Sequence, residues 1–239
     1  HLSSISGVTD IVSCFVLGNL YQPVYMNEIQ NKGLALDVDI YNDKGKPIKN
    51  SKGELVCKNP FPSMPIKFWS DKNDKKFKDA YFSRFKNTWY HGDFAEIKKT
   101  NGFVIHGRSD TTLNPGGVRL GTGEIYSDVE KFKEIKESIV VGQSWDNDVR
   151  IILFIVMNAK FLFNEDLLKK IKLQIRKNAS PRHVPSKVIL VNDIPRTKSG
   201  KIVELAVKNI IEGNKIKNIE ALENHKALEQ FKDLEELSI

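Results

Sequence analysis

The stretch Glu137-Ser138-Ile139-Val140-Val141-Gly142, followed past the turn Asp146-Asn147-Asp148 by Val149-Arg150-Ile151-Ile152-Leu153-Phe154-Ile155-Val156-Met157, decides the fold of the second half of this chain. Two apolar, β-branched runs around an Asp/Asn turn read as the strands of a hairpin. Downstream, Leu167, Leu168, Ile171 and Ile175 recur at helical spacing, with Lys169, Lys170 and Lys172 on the other face. Residues 187–191 read as a strand, and Ile202, Ala206 and Ile210 mark a second amphipathic helix, with Ser199 as its N-cap and Lys201 in its first turn. Residues 123–132 suit a short helix, and an acidic helix is expected over 221–237, docking late or fraying. The order strand, strand, helix, strand, helix makes a compact α+β domain over residues 111–239.

Residues 1–110 read as β-rich. Residues 23–30, 34–41 and 53–57 carry alternating or β-branched apolar residues, with Asn42-Asp43-Lys44-Gly45 as a turn between the last two. Residues 94–98 and 102–107 flank Lys99-Thr100-Asn101 as a hairpin. In Asn59-Pro60-Phe61-Pro62-Ser63-Met64-Pro65 the prolines remove backbone donors, which excludes a helix or a central strand. That segment is expected to be a loop pressed against the core of a small β-barrel or sandwich-like unit.

With 239 residues, 40% hydrophobic and 28% charged, the composition is globular. No apolar run approaches the ~18 residues that span a bilayer, and the first residues do not make a signal peptide. Cys14 and Cys57 have no zinc-like spacing, so a cytoplasmic location with no membrane partner is expected. The net charge of +7 is unevenly spread: residues 166–201 carry ten basic residues against two acidic ones. Such a segment suits nucleotides and coenzymes, or is simply a solvated lysine-rich face. It lacks the interleaved aromatics that stack on bases, so nucleic acid is not expected as a partner.

Four short motifs carry chemistry. In Pro195-Arg196-Thr197-Lys198-Ser199-Gly200-Lys201-Ile202, a lysine in a first helical turn opposes the helix dipole by about 0.3–1 kcal/mol. It is either a solvated loop residue or an ammonium held toward an anion. Ile202 stands where a phosphate loop of the Walker type would need Ser or Thr. Gly107-Arg108-Ser109-Asp110 precedes Asn114-Pro115-Gly116-Gly117-Val118-Arg119, a tight turn followed by a guanidinium suited to phosphate oxygens. In Trp89-Tyr90-His91-Gly92-Asp93, the Asp93 carboxylate can accept both hydroxyls of a ribose or merely stabilise its turn. Ser6-Gly7-Val8-Thr9-Asp10 offers a hydroxyl and a carboxylate after small residues, which suits phosphate and Mg²⁺.

In order and content these segments resemble the adenylate-forming acyl- and aryl-CoA synthetase superfamily. Ser3 to Gly7, Asn59 to Pro65, Asp110 to Gly121, Ser180-Pro181-Arg182-His183-Val184-Pro185 and Ser199 to Glu204 are closest to its acetoacetyl-CoA synthetase branch. The resemblance implies a ligase that joins acetoacetate to coenzyme A through an acyl-adenylate, releasing pyrophosphate and AMP, with ATP, Mg²⁺ and coenzyme A as requirements. It implies Lys201 as the catalytic lysine between substrate carboxylate and α-phosphate, and Ser6, Gly7, Val8, Thr9, Asp93, Arg108 and Arg119 around ATP or AMP. Asp10 would support the metal, where relatives usually have Glu. Gly116, Gly117 and Arg176 would meet coenzyme A, Asp110 would be the hinge, and Gly7 and Val8 would border the acyl pocket, glycine leaving room for an acid larger than acetate. Residues 1–110 would then be the β-rich end of the large ATP-binding domain, and 111–239 the mobile small domain. The family's Ser/Thr/Gly-rich phosphate loop has no counterpart here, so the rest of the polypeptide, N-terminal to this chain, is an expected partner and the chain alone is expected to be inactive. A ligase for another short acid, or a coenzyme- or nucleotide-binding module without catalysis, are the alternatives.

Overall fold

The computed structural model describes residues 2–216 and 219–238. The chain divides into two compact units, His1–Ser109 and Asp110–Ile239.

In the first unit, β1 (Ser6–Val8), β2 (Ser13–Leu17) and β3 (Asn31–Lys32) form one antiparallel sheet. A second sheet runs in the order β4 (Val38–Tyr41), β5 (Gly53–Cys57), β6 (Trp89–Ile97), β7 (Phe103–Arg108), all antiparallel, with helix α1 (Lys75–Tyr81) inserted before β6. Ile11, between β1 and β2, and Phe15 and Val16 of β2 share one core with Val38, Ile40, Leu55, Trp89 and Phe103. The proline-flanked Phe61 is buried edge-on against Phe15 and Trp89, ring centroids 5.3 and 5.4 Å away, so the loop it lies in does close the core.

Two expected strands shrink. Over 23–30 the chain turns, with Asn27 at φ +63°, and only Ile29 makes a ladder pair, with Phe103. The cause is Gln30, whose buried amide donates to the carbonyls of Asn19 and Gln22 at 2.8 and 2.6 Å and folds the segment back on itself. Within 34–41 only β4 is extended, because a turn closed by Leu36 N donating to Gly33 O (3.2 Å) places Ala35 at φ +61°. Asp93 lies inside β6, not in a turn at a strand end.

In the second unit, α2 (Thr122–Val129) leads into the long hairpin β8 (Ile135–Trp145) and β9 (Asp148–Met157). Then come α3 (Glu165–Asn178), β10 (Lys187–Leu190), parallel to β9, and α4 (Glu204–Ile211). Central β9 is apolar at every position from Ile151 to Val156 because both of its faces are covered. Ile151, Leu153 and Ile155 pack with Leu167, Ile171 and Ile175 of α3 and Ile125 and Val129 of α2; Ile152, Phe154 and Val156 pack with Val207 of α4, Phe231 and Leu237. Helix α3 starts where Asn164 Oδ1 accepts from Leu167 N (2.9 Å), has Glu165 and Asp166 in its first turn, and ends on Arg176 and Lys177, each sign matching the dipole.

Two expectations are corrected here. The last helix begins at Glu204 with Val203 at its cap, so Ser199 is not an N-cap and Lys201 precedes the helix. Residues 221–237 form no α-helix but 3₁₀ turns at His225–Phe231 and Glu235–Leu237, and they are docked, with Leu228, Phe231 and Leu237 buried. The acidic residues suggested a solvated helix, but the apolar spacing fits a second cover for β9.

Candidate functional site

In the first unit the predicted residues Ser6, Asp93 and Arg108 converge. Arg108 Nη1 donates to Asp93 Oδ1 at 3.0 Å and to the His91 carbonyl at 3.3 Å, and Ser6 Oγ donates to Asp93 Oδ2 at 3.0 Å. The glycine between His91 and Asp93 makes this possible. Gly92 sits at φ +81°, and a Cβ there would lie 2.7 Å from Arg108 Nη2, so the guanidinium crosses the strand over the missing side chain. Gly92→Ala is therefore expected to break the Arg108–Asp93 pair and to cost about 1–2 kcal/mol in backbone strain alone. A lowered unfolding midpoint would show it.

His91 is buried edge-on against Phe15 at 4.5 Å, and neither ring nitrogen has a hydrogen-bond partner among the described residues. Its Nε2 lies 3.4 Å from Asp93 Oδ2, which favours the charged ring, yet burial wins and holds the imidazole pKa down to about 4. Between the ordinary value near 6.5 and about 4 the unfolded chain binds the proton and the folded chain does not. Stability contributed by neutral His91 is thus full above about pH 6.5 and lost as pH falls through about 4. In chemical denaturation across that window, native protein should lose up to about 3 kcal/mol more than His91→Gln does; equal slopes would refute the assignment.

Asp10 lies in the 3₁₀ turn Thr9–Ile11 directly after β1, with Thr9 exposed beside it. Val12, β-branched and at φ +48°, closes that turn in the left-handed region. The Asp10 carboxylate accepts a short hydrogen bond from Tyr81 Oη, and Tyr81 is stacked on Trp89 with ring centroids 3.7 Å apart. Burial, and the carboxylate beside it, push the Tyr81 phenol well above its usual pKa, so it stays a donor. Among the described residues no group of three or more His, Cys, Asp or Glu could hold a metal, so Asp10 offers one carboxylate, not a cage. That donor set fits Mg²⁺, which is held by one or two carboxylates together with substrate phosphates.

A Cβ at Gly7 would meet Ser13 O at 2.3 Å and Cys14 Cα at 2.8 Å, at a bulge in the β1–β2 pairing, so strand pairing alone requires glycine there. Val8 ends β1 and packs against the core.

In the second unit, Asp110 and the buried Thr111 lead into a loop closed by reciprocal backbone bonds between Leu113 and Leu120, at 2.9 and 2.8 Å. Gly116 and Gly117 lie at its tip with φ +59° and +74°, and Gly117 would meet nothing within 4 Å as a larger residue. Gly116 N donates to both carboxylate oxygens of Asp148, at 2.8 and 3.0 Å. Arg119, on the returning arm, donates from Nη2 to Thr112 Oγ1 at 3.4 Å. Below the loop, His183 bridges Ser180 Oγ (2.8 Å) and Glu124 Oε2 (2.9 Å). Arg176 is exposed on the last turn of α3.

Lys201 stands at the end of a tight turn. Thr197 N donates to Lys201 O (2.9 Å), Lys201 N to Thr197 Oγ1 (3.1 Å) and Gly200 N to Thr197 O (2.8 Å), with Gly200 at φ +82°. The ammonium is exposed and has no protein partner among the described residues. Three residues on, Glu204 accepts from Tyr126 Oη at 2.6 Å and from the hydroxyls of Thr111 and Thr122. Burial raises its carboxyl above the ordinary value, in spite of these donors. Sequence reasoning missed Tyr81 and Asp148 as partners of the predicted Asp10 and Gly116. Asp148 carried only a turn signal, and nothing in the residue order pairs it with Gly116, 32 positions away.

Residues 127–201 match the family described as the AMP-binding enzyme C-terminal domain. The chain is 58% identical over 237 residues to the acetoacetyl-coenzyme A synthetase of Rhizobium meliloti (strain 1021) and 47% over 238 residues to the acetoacetyl-CoA synthetase of Gallus gallus. Each match takes in 99% of this chain and 36% of the relative. Among solved structures, an acetoacetyl-CoA synthetase from Streptomyces lividans superposes with a TM-score of 0.91 at 38% identity, over 97% of this chain and 35% of that one. A benzoate CoA ligase from Burkholderia xenovorans LB400 shares the fold at 21% identity and a TM-score of 0.72, over 86% of this chain and 40% of its own. Residues 127–201 thus match the AMP-binding enzyme C-terminal domain, within a chain that is similar to acetoacetyl-CoA synthetases along 99% of its length and spans about 36% of theirs.

Proposed function

We propose that the polypeptide carrying this chain is an ATP-dependent acid–thiol ligase that makes acetoacetyl-CoA. The acid's carboxylate attacks the α-phosphate of ATP, pyrophosphate leaves, and the thiol of coenzyme A then displaces AMP from the acyl-adenylate. The observation that carries this reading is the exposed ammonium of Lys201, without a partner among the described residues, on a turn fixed by three backbone-donated hydrogen bonds. The first half-reaction builds negative charge at phosphorus and needs a preorganised cation there, not a nucleophilic side chain.

Each remaining group has a role in that scheme. Asp93, steadied by Ser6 and Arg108, accepts from the ribose hydroxyls, and Thr9 donates to the α-phosphate. Arg119 neutralises phosphate charge in the same half-reaction. Mg²⁺, held by Asp10 and the phosphates, supplies further positive charge when bound. Asp110, the first residue of the second unit, is the pivot that exchanges Lys201 for the loop of Gly116 and Gly117. At that loop two backbones without side chains leave space for the thiol arm of coenzyme A, with Arg176 toward its phosphates. The phosphate loop comes from the remainder of the polypeptide, consistent with coverage of only 36% of the relatives.

The test is acid-dependent pyrophosphate release by the intact polypeptide over a panel of short acids, followed by coenzyme A consumption. Acetoacetate should be the preferred acid. A different preferred acid would move the substrate assignment, and no acid-dependent release at all would remove the reading.

A further inference from the structure

The loop that presents Lys201 is held from outside by a segment beyond the matched domain, which ends at that residue. Thr197 pairs with Leu222, Lys198 N donates to Ala221 O at 3.2 Å, and Glu223 N donates to Arg196 O at 2.9 Å, so residues 221–223 run as an extra edge along the arm leading into the turn. One side chain completes the attachment. Asn224 Oδ1 accepts from Arg196 N at 2.8 Å, while its Nδ2 donates to Ile194 O at 2.9 Å and to Asp193 Oδ2 at 2.6 Å. Its amide orientation is fixed by these partners, since Arg196 N can only donate and the Ile194 carbonyl can only accept.

The segment is anchored on both sides of Asn224. Leu222 and Leu228 pack with Ala206 of α4, and Phe231 is fully buried over β9. Gln230 repeats the pattern, accepting from Asn192 N and donating to Asp193 O, both at 2.7 Å. On the arm itself, Arg196 Nη2 reaches Glu137 Oε2 of β8 at 2.5 Å. The arm is therefore fixed before the chain reaches Thr197, whose hydroxyl and backbone hold the backbone of Lys201. A lysine has a flexible four-carbon stem, so the rigidity of its base decides where the ammonium can act.

We infer that Asn224 is a positioning residue for Lys201. It fixes residues 194–196, and through Thr197 the backbone of Lys201, so that the ammonium is offered at one place. This rests on the reading of Lys201 given above and goes beyond it by naming what aims that group.

The experiment uses the intact polypeptide with Asn224→Ala, Lys201→Ala and the double variant. Two rates are read: acid-dependent ATP–pyrophosphate exchange, and thioester formation from a supplied acyl-adenylate. Asn224→Ala should slow exchange by about 10–100-fold, as a misplacement near 1 Å does. Thioester formation should stay within about twofold of native, and the double variant should exchange no more slowly than Lys201→Ala. Native exchange in Asn224→Ala beside a crippled Lys201→Ala would overturn the inference. So would equal loss of both half-reactions, which marks a folding defect, or a loss in the double variant that multiplies the single ones. Native exchange in Lys201→Ala would instead sink the catalytic reading, and the inference that rests on it.

Discussion

Replacing Lys201 by alanine is expected to slow ATP-driven activation of the acid by about 10²–10³-fold, the usual loss when one preorganised charge-stabilising group is removed. Thioester formation from a supplied adenylate should proceed near the native rate, because the thiol attacks a carbonyl and AMP leaves with its phosphate already formed. The variant should also fold normally. The turn at Lys201 is held by backbone donors and by Thr197, and the lysine side chain is exposed without a partner among the described residues. Its unfolding midpoint should match the native one, which separates a chemical loss from a structural loss. Single-turnover measurement of each half-reaction decides the matter. Equal slowing of both, or slowing of neither, removes Lys201 from the chemistry.

What the residues disclosed in advance, and what they hid, divides along the range of the interactions. The hairpin of β8 and β9, helix α3 and the pair β6–β7 were legible because periodicity and turn chemistry are local, although β6 begins five residues before the expected start. The motif around Asp93 was singled out from its residue types, but its geometry was hidden. That Gly92 is glycine because Arg108 passes over it follows only from the register of β6 against β7. Segment 23–30 misled because its strand-like pattern is overruled by the Gln30 amide, which reaches back to carbonyls at Asn19 and Gln22. Gly7 has a structural reason that the residue order hid: a Cβ there would collide with the backbone of the strand opposite. Lys201 was singled out for a local reason that the structure does not bear out. The tension with a helix dipole does not exist, since the helix starts later; what remains is a cation on a tight turn.

The segment misread most fully, 221–237, supplies the second large effect. Phe231 is fully buried, edge-on to Phe154 of β9 with ring centroids 4.9 Å apart, in a cluster with Ile139, Ile152, Val207 and Leu237. Phe231→Ala removes a whole aromatic side chain from a face the sheet cannot cover otherwise, at an expected cost of about 3–5 kcal/mol. For a unit of this size that lowers the unfolding midpoint by roughly 10–20 °C. Leu205→Ala, on the half-open side of α4, should cost far less and serves as the control. The effect should not stay in the core. Phe231 follows Gln230, which with Asn224 ties the segment to residues 192–196, so amide exchange at Thr197, Gly200 and Lys201 should quicken in the Phe231 variant and not in the control. A small loss of stability with unchanged exchange would mean that these turns are a frayed tail after all, and that the hairpin bearing Lys201 stands without them.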